Sequence, residues 1–327
     1  MDEGLVGGEG FAVDASLIKA DASRQTCVPA AEGLPAEVAG RRAVKEYLAV
    51  LDDAAFGAAS PVEPKFLAPA DPACRWTGAD GGLAYFAYCT NYLIDLDNAV
   101  IVDVEPSTAV RQAEVTAAKT MIQRTVETFD LKPDRLAADT GYGSAETLAW
   151  LVDELGIEPH IPVWDKSTRK DGTFSRGDFT YDQDADVYTC PAGKSVRKRQ
   201  RKLSDRWAAM PPSPLVNYRA AQRDCDVCPL KPQCCPHEPV RRIQRSIHEA
   251  ARDKARAIAT TEAYVVSRRQ RKKVEMLFAH LKRILKLDRL RLRGPNGARD
   301  EFLLAATAQN LRKLAKLVAP ASPLPAT

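Results

Sequence analysis

Three carboxylates sit in settings that phosphoryl chemistry uses. The stretch "FAVDASLIKADASRQ" alternates Phe11, Val13 and Leu17 with smaller or polar residues, the period of a half-buried strand, and places Asp14 in its middle. Asp is a poor strand former and a costly one to bury unpaired. Asp139 closes the short apolar run "RLAAD" and is followed by Thr140, Gly141, Tyr142 and Gly143. Ligands of open α/β sheets gather at the carboxyl ends of strands, and glycine lets a backbone approach another group closely. Glu275 lies in "RRQRKKVEMLFAHLKRILKL". Singly, each acid has a plain structural reading: a solvent-face strand acid, a turn or helix-cap Asp, and an Arg–Glu surface pair. Together, two strand carboxylates and one helix carboxylate can hold two Mg²⁺ or Mn²⁺ ions through oxygen. Two such ions about 4 Å apart can activate a water or a 3′-hydroxyl and stabilise the leaving oxygen of a phosphodiester, with no histidine required.

The helix that carries Glu275 has an apolar stripe, Val274, Leu277, Leu281, Ile284 and Leu285. At ~100° per residue, Arg271, Glu275 and Lys282 fall within about 60° of one another beside that stripe. Arg268, Lys272 and Lys273 add to the positive charge. Such a helix suits phosphate contact, its arginines in bidentate geometry. The chain as a whole carries a net charge of +4, yet 17 Lys and Arg stand against 5 acids between positions 241 and 293. A second basic run, "KSVRKRQRK", spans positions 194–202. Both point to a polyanionic partner rather than to an evenly solvated surface.

The elements that must position these groups can be read coarsely. A strand is expected over 11–18, then a Pro-, Ala- and Gly-rich stretch with a helix near 41–56. Two aromatic and β-branched runs flank Asp95, Leu96, Asp97 and Asn98 as a hairpin. A helix follows over 109–128, then the strand ending at Asp139, a helix capped by Ser144, and a strand in "IEPHIPV". Positions 165–250 are polar, Pro-rich and Cys-rich with little periodicity. Two helices follow, to about 287 and over 300–318. The expected class is α/β, a mixed sheet flanked by helices. The organisation is a core begun over 1–164 with a loop and helix insertion at about 20–80, a Cys-rich insertion over 165–250, core completion over 251–318, and a disordered tail over 319–327.

Five of the eight cysteines lie in that insertion: Cys190, then Cys225, Cys228, Cys234 and Cys235 in "CDVCPLKPQCCPHE". A two-residue spacer lets one turn supply two ligands to tetrahedral Zn²⁺. Cys190, Cys225, Cys228 and Cys234 are the simplest set, with Cys235 able to replace Cys234; free thiols in a loop are the plain alternative. Cys27, Cys74 and Cys89 read as structural. The composition, 45% hydrophobic and 28% charged, is that of a globular protein. The absence of a signal-peptide pattern and of an apolar run of membrane length sets the expectation of a cytoplasmic protein with no membrane association.

These blocks together resemble the DDE transposases of bacterial insertion sequences. "FAVDASLIKADASRQ", "RWTGADGGLAYFAYCTNYLID", "ADTGYGS" and "RKKVEMLFAHLKRILKLDRLRLRG" are similar to the family's signature regions, and the resemblance runs from about Gly10 to Leu317. It implies a ribonuclease H-like fold and a metal triad of Asp14, Asp139 and Glu275. It also implies cleavage and strand transfer at transposon ends, with Mg²⁺ or Mn²⁺ as cofactor, DNA as partner, and a homo-oligomer assembled on that DNA. Many members carry Tyr-x2-Arg-x3-Glu-x6-Lys on the catalytic helix. Arg271, Glu275 and Lys282 fit that pattern, but Arg268 stands at the Tyr position. Asp21 and Asp103 are rival acids, set aside because one follows the strand and the other is on the hairpin's far strand. The first strand begins about ten residues from Met1, where relatives have a helical end-recognition region. The corresponding expectation is a truncated transposase that binds DNA with little preference for its own ends. Two other functions stand beside active strand transfer: a non-catalytic DNA-binding fragment, and a ribonuclease H-like nuclease on other nucleic acids.

Overall fold

The computed structural model of the chain describes residues 4–78, 82–165, 169–199 and 214–317. It divides into two compact units. The first comprises Met1–Tyr142, Leu155–Pro162 and Ala257–Thr327; the second comprises Gly143–Glu154 and Val163–Arg256.

The first unit is built on β1 (Gly10–Lys19). After it come β2 (Val28–Pro29), α1 (Arg42–Ala49), β3 (Phe66–Leu67) and β4 (Arg75–Thr77). The hairpin β5 (Tyr85–Asp95) and β6 (Ile101–Thr108) turns through Asp95–Asn98 as expected. The helix α2 (Arg111–Phe129) and the strand β7 (Arg135–Ala137) follow. In the sheet, β1 pairs antiparallel with β5 and parallel with β7. On the outer edge of β5, β4 pairs with its first residues and β6 with the rest. On the far side β7 pairs parallel with a later strand, residues Glu158–His160. Antiparallel pairing among β4, β5, β6 and β1 and parallel pairing from β1 through β7 to the later strand make the six-stranded mixed sheet that the sequence pattern called for.

One face of this sheet holds the main core. Ala12, Ile18, Tyr88, Tyr92 and Ile94 are buried there against Val274, Phe278, Leu281, Phe302 and Ala305 from the last two helices. The Tyr92 and Phe278 rings lie 4.8 Å apart between centroids. On α2 the residues Ala113, Ala117, Met121 and Ile122 are buried at the spacing of a helix packed on a sheet.

The second unit begins with α3 (Ala145–Ala149), capped by the Ser144 hydroxyl, which accepts the Thr147 N–H. With the strand Glu158–His160 numbered β8, the second unit continues as β9 (Thr180–Asp182), β10 (Val187–Thr189), β11 (Ser195–Lys198) and β12 (Leu215–Ala220). Two short helices, α4 (Gln222–Asp226) and α5 (Lys231–Cys234), lead to β13 (Arg242–Ser246) and α6 (Glu249–Ile258). Strands β9 to β13 form an antiparallel sheet in sequential order. The stretch 165–250, read as an insertion with little periodicity, thus holds five strands among its described residues. The strands are only three to six residues long and alternate over too few positions to stand out. Their core is small: Phe179, Tyr188, Val196, Tyr218, Ala220 and Ile243.

The chain returns to the first unit with α7 (Glu262–Arg283) and α8 (Gly294–Leu317). Thr261 caps α7 by accepting the Tyr264 N–H. The apolar stripe expected to run to Leu285 stops at Leu281. Ile284 and Leu285 lie past the helix and are exposed, and Lys286 turns the chain with a positive φ of 58°. Phe278, absent from the expected stripe, takes their place in the core. The helix near 41–56 is shorter than expected, ending at Ala49. In the basic run 194–202, Arg197 and Lys198 are exposed on β11, while positions 200–202 lie outside the described residues, as does the tail 319–327.

Leu281 is fully buried and Met276, on the same helix, is 70% exposed. Leu281→Ala is expected to destabilise the fold by about 2–5 kcal/mol, and Met276→Ala by less than about 0.5 kcal/mol. Urea denaturation of the two variants against the parent chain checks this.

Candidate active site

The sheet register brings two of the acids together. Ala12 of β1 pairs with Ala137 of β7 in parallel, and Asp14 and Asp139 each lie two residues past that pair. Asp14 faces Tyr92 across the β1–β5 ladder, so both leave the sheet on the side where α7 packs. On α7, Arg271, Val274 and Phe278 follow at i, i+3 and i+7, one face of the helix. The Val274 and Phe278 contacts with the sheet thereby set Arg271 over β1.

The result is a guanidinium shared by two acids. Arg271 Nη1 donates to Asp14 Oδ2 at 2.8 Å, and its Nη2 donates to Glu275 Oε1 at 3.0 Å. Asp14 Oδ1 also accepts the Ala15 N–H at 2.9 Å. Asp139 Oδ1 accepts the Gly141 N–H at 2.7 Å, and its other oxygen lies 3.7 Å from Arg111 Nη2. The Asp14 side chain is 17% exposed and that of Glu275 53%. Burial pushes the Asp14 carboxyl up to about 6; the Ala15 N–H and Arg271 pull it down, and the nearby Asp139 and Glu275 push it further up.

Three further side chains, missed in the sequence, belong to this cluster. Arg111, the first residue of α2, donates to Glu114 Oε2 at 2.9 Å and so links Glu114 with Asp139. Glu114 has its carboxyl raised by burial and accepts the Cys89 thiol at 3.2 Å. Tyr142 is buried, its hydroxyl has no hydrogen-bond partner among the described residues, and burial followed by the charges of Glu114, Asp14 and Asp139 raises its pKa. In sequence, Arg111 and Glu114 look like any i, i+3 surface pair. Only Gly141 carried a signal: a Cβ there would stand 2.4 Å from the Arg111 Cζ. The group that glycine admits is this guanidinium.

The basic residues of α7 divide by face. Arg268, Arg271, Lys272 and Lys282 lie within about 60° of Glu275 around the helix, and Lys273 about 160° away. Lys273 Nζ donates to the carbonyl oxygens of Leu96 at 2.5 Å and Asp97 at 2.9 Å, and so ties α7 to the β5–β6 turn. Arg268 and Lys272 are exposed, and Lys282 is partly buried, with its ammonium pKa lowered by that burial. The rival acids have other partners. Asp21 is held by Arg289 and Arg293, both at 2.9 Å, and Asp103 by Arg124 at 2.8 Å.

Carboxylates from two strands and a helix, repelling one another, are the hard oxygen donors that a divalent cation takes. The donor set fits. As the side chains are placed, no group of three His, Cys, Asp or Glu among the described residues is disposed to hold a metal ion; the Arg271 guanidinium stands between Asp14 and Glu275 instead.

Residues 189–315 match the family model described as transposase DDE domain. That part of the chain is similar to transposase DDE domains. The matched span includes Glu275, Arg271 and all five clustered cysteines, while Asp14 and Asp139 precede it. No curated protein and no solved structure matches the chain. The domain supports a transposase function with DNA as substrate and a divalent metal as the general cofactor of such domains. Among the described residues, no helix is long and apolar enough to cross a membrane.

The raised Asp14 carboxyl has a stability consequence. A carboxyl whose folded pKa lies above its ordinary value of 3.8 stabilises the fold fully below that value and loses the contribution as pH rises through about 6. In the metal-free chain, Asp14→Asn is expected to be more stable than the parent at pH 7.5 by about 1–3 kcal/mol. The gap should narrow steadily between pH 6 and pH 4. Urea unfolding with chelator present, at a series of pH values, checks both statements.

Proposed function

We propose that this DDE domain cuts phosphodiester bonds at the ends of an insertion sequence and joins the freed 3′ ends to target DNA. Asp14, Asp139 and Glu275 are its metal-binding acids. The observation that carries the reading is the shared guanidinium: residues far apart in the chain converge on Arg271, in a chain whose later part matches a transposase domain. Mg²⁺ or Mn²⁺, when bound, supplies Lewis acidity and a more acidic water. The protein's own groups do the rest. Asp14, on β1, and Asp139, two residues past the end of β7, offer two neighbouring donor positions. Glu275, more exposed and on a helix, adapts to the substrate side. Arg271 presents a planar fork suited to a phosphate, and Arg268, Lys272 and Lys282 extend the positive band along the helix. Lys273, occupied at the β5–β6 turn, has no part in this. The working species is a homo-oligomer assembled on DNA.

Asp14→Asn, Asp139→Asn and Glu275→Gln keep side-chain shape and remove one donor charge each. Every one of the three is expected to reduce Mg²⁺-dependent nicking of a supercoiled plasmid carrying the element's ends to background, with circular dichroism unchanged. Cleavage retained in any folded variant removes that residue from the triad.

Lys282→Ala and Arg271→Ala are each expected to lower the slope of log K against log salt by about one unit in DNA titrations. Lys273→Ala is expected to leave that slope unchanged.

A further inference from the structure

The second unit holds a feature that phosphoryl transfer does not use. A cavity of about 30 Å³ is lined by Cys190, Cys225, Cys228, Cys234 and Cys235 together with Arg241. Its size suits a single ion and no organic ligand. The five thiols come from two places in the chain. Cys190 opens the turn of the β10–β11 hairpin: Gly193, at a φ of 72°, donates to the Cys190 carbonyl, and the Lys194 N–H points at Cys190 Sγ at 3.3 Å. An amide aimed at a sulfur in a tight turn orients that sulfur. The others lie on a continuous run of turns and short helices. The N–H of Cys228 donates to the Cys225 carbonyl, that of Lys231 to Cys228, and that of Cys234 to Leu230.

Burying small apolar thiols needs no cations. Here Arg241 is itself buried, donates to the Cys234 carbonyl at 3.0 Å and to the Phe174 carbonyl at 2.9 Å, and lines the same cavity. Lys194, Lys231 and one acid, Asp224, line it as well, and Lys231 also pairs with Asp226 at 3.3 Å. Four thiolates around Zn²⁺ carry a net charge of −2, and these cations are placed to offset it. All eight cysteines are free thiols. The cavity's five are an odd number, which pairing into disulfides leaves incomplete. Cys190, Cys225 and Cys234 pack against the same small apolar cluster, Phe179 to Ile243. That cluster is too slight to hold five short strands by itself.

We propose that Cys190, Cys225, Cys228 and Cys234 bind one structural Zn²⁺, which fastens the β10–β11 hairpin to the segment between β12 and β13. As placed, the thiols do not yet form a metal-holding group, so binding draws the four sulfurs inward across the 30 Å³ space and releases their protons. Cys234 is the fourth ligand because Arg241 fixes its carbonyl and it shares the apolar contact of Cys190 and Cys225.

The test uses the full chain purified under reducing conditions from zinc-supplemented culture. Elemental analysis is expected to find one zinc per chain. Titrating Co²⁺ into the stripped protein is expected to give intense thiolate-to-cobalt charge-transfer absorption and the d–d bands of tetrahedral coordination, saturating at one equivalent and displaced by Zn²⁺. Cys225→Ser, Cys228→Ser and Cys234→Ser should each lose the zinc; Cys27→Ser and Cys235→Ser should keep it. Absence of both zinc and the charge-transfer band in the parent chain overturns the proposal. Zinc lost in Cys235→Ser but kept in Cys234→Ser overturns the assignment of the fourth ligand. Where a serine variant fails to fold, the cobalt spectrum of the parent chain still decides the matter. None of these readouts depends on DNA cleavage, so the zinc site stands or falls apart from the transposase reading.

Discussion

Like charge, brought together and half withdrawn from water, is the constraint on which the first unit is built. Three acids converge at the sheet, and Coulomb repulsion between them strengthens as the surroundings become less polar. One guanidinium, Arg271, bridges two of them at 2.8 and 3.0 Å. A second, Arg111, serves Asp139 and Glu114. The compensation is partial, because Asp14 stays protonated up to about pH 6. The apolar packing of α7 positions the first of these guanidinium groups. Val274, Phe278 and Leu281 are buried on the sheet, and their depth fixes how far the Arg271 side chain must reach. The same helix is tied at Lys273 to the hairpin turn. A fold that gathers acids at one place has to bring positive charge of its own to the same place.

The second unit rests on a different balance. Its strands are short, and its apolar cluster consists largely of tyrosines and a phenylalanine, with rings 4.8 to 6.1 Å apart. Polar groups are satisfied in place. The Tyr181 hydroxyl donates to Asp186, while Glu249 is buried among Arg176, Arg252 and Arg256. Breaking one member of such a buried network leaves its partners charged and unpaired. Specific geometry is supplied here by ion pairs and ring edges around a small core, where the first unit packs a larger apolar cluster.

Much of the first unit was legible because its signals are periodic. β1, the β5–β6 hairpin, α2 and α7 each carry their apolar residues at strand or helix spacing over eight or more positions. The acids singled out at the middle of a strand, the end of a strand and one helix face lie near one another in the fold. Other features were not legible for physical reasons. A three-residue strand such as β10 cannot display alternation. Glu249 opens α6 as a buried acid, against the usual exposure of that residue type. Arg111 and Lys273 are defined by what they touch 28 residues onward and 176 residues back, and no local pattern encodes such partners. Lys273 shows the limit well: within a basic run it read as a phosphate ligand, while its place around the helix sets it against a backbone turn.

The distance along the chain between Asp14 and its counter-ion has a consequence for biosynthesis. They are 257 residues apart. During translation β1, β5, β6 and β7 are made before α7, and the four strands can assemble while that helix is still unmade. The acid pair of β1 and β7 then exists without Arg271 or Glu275. Such a nascent chain has the sheet and neither Glu275 nor the basic helix face. A product that stops before that helix is a sheet whose Asp14 lacks its counter-ion.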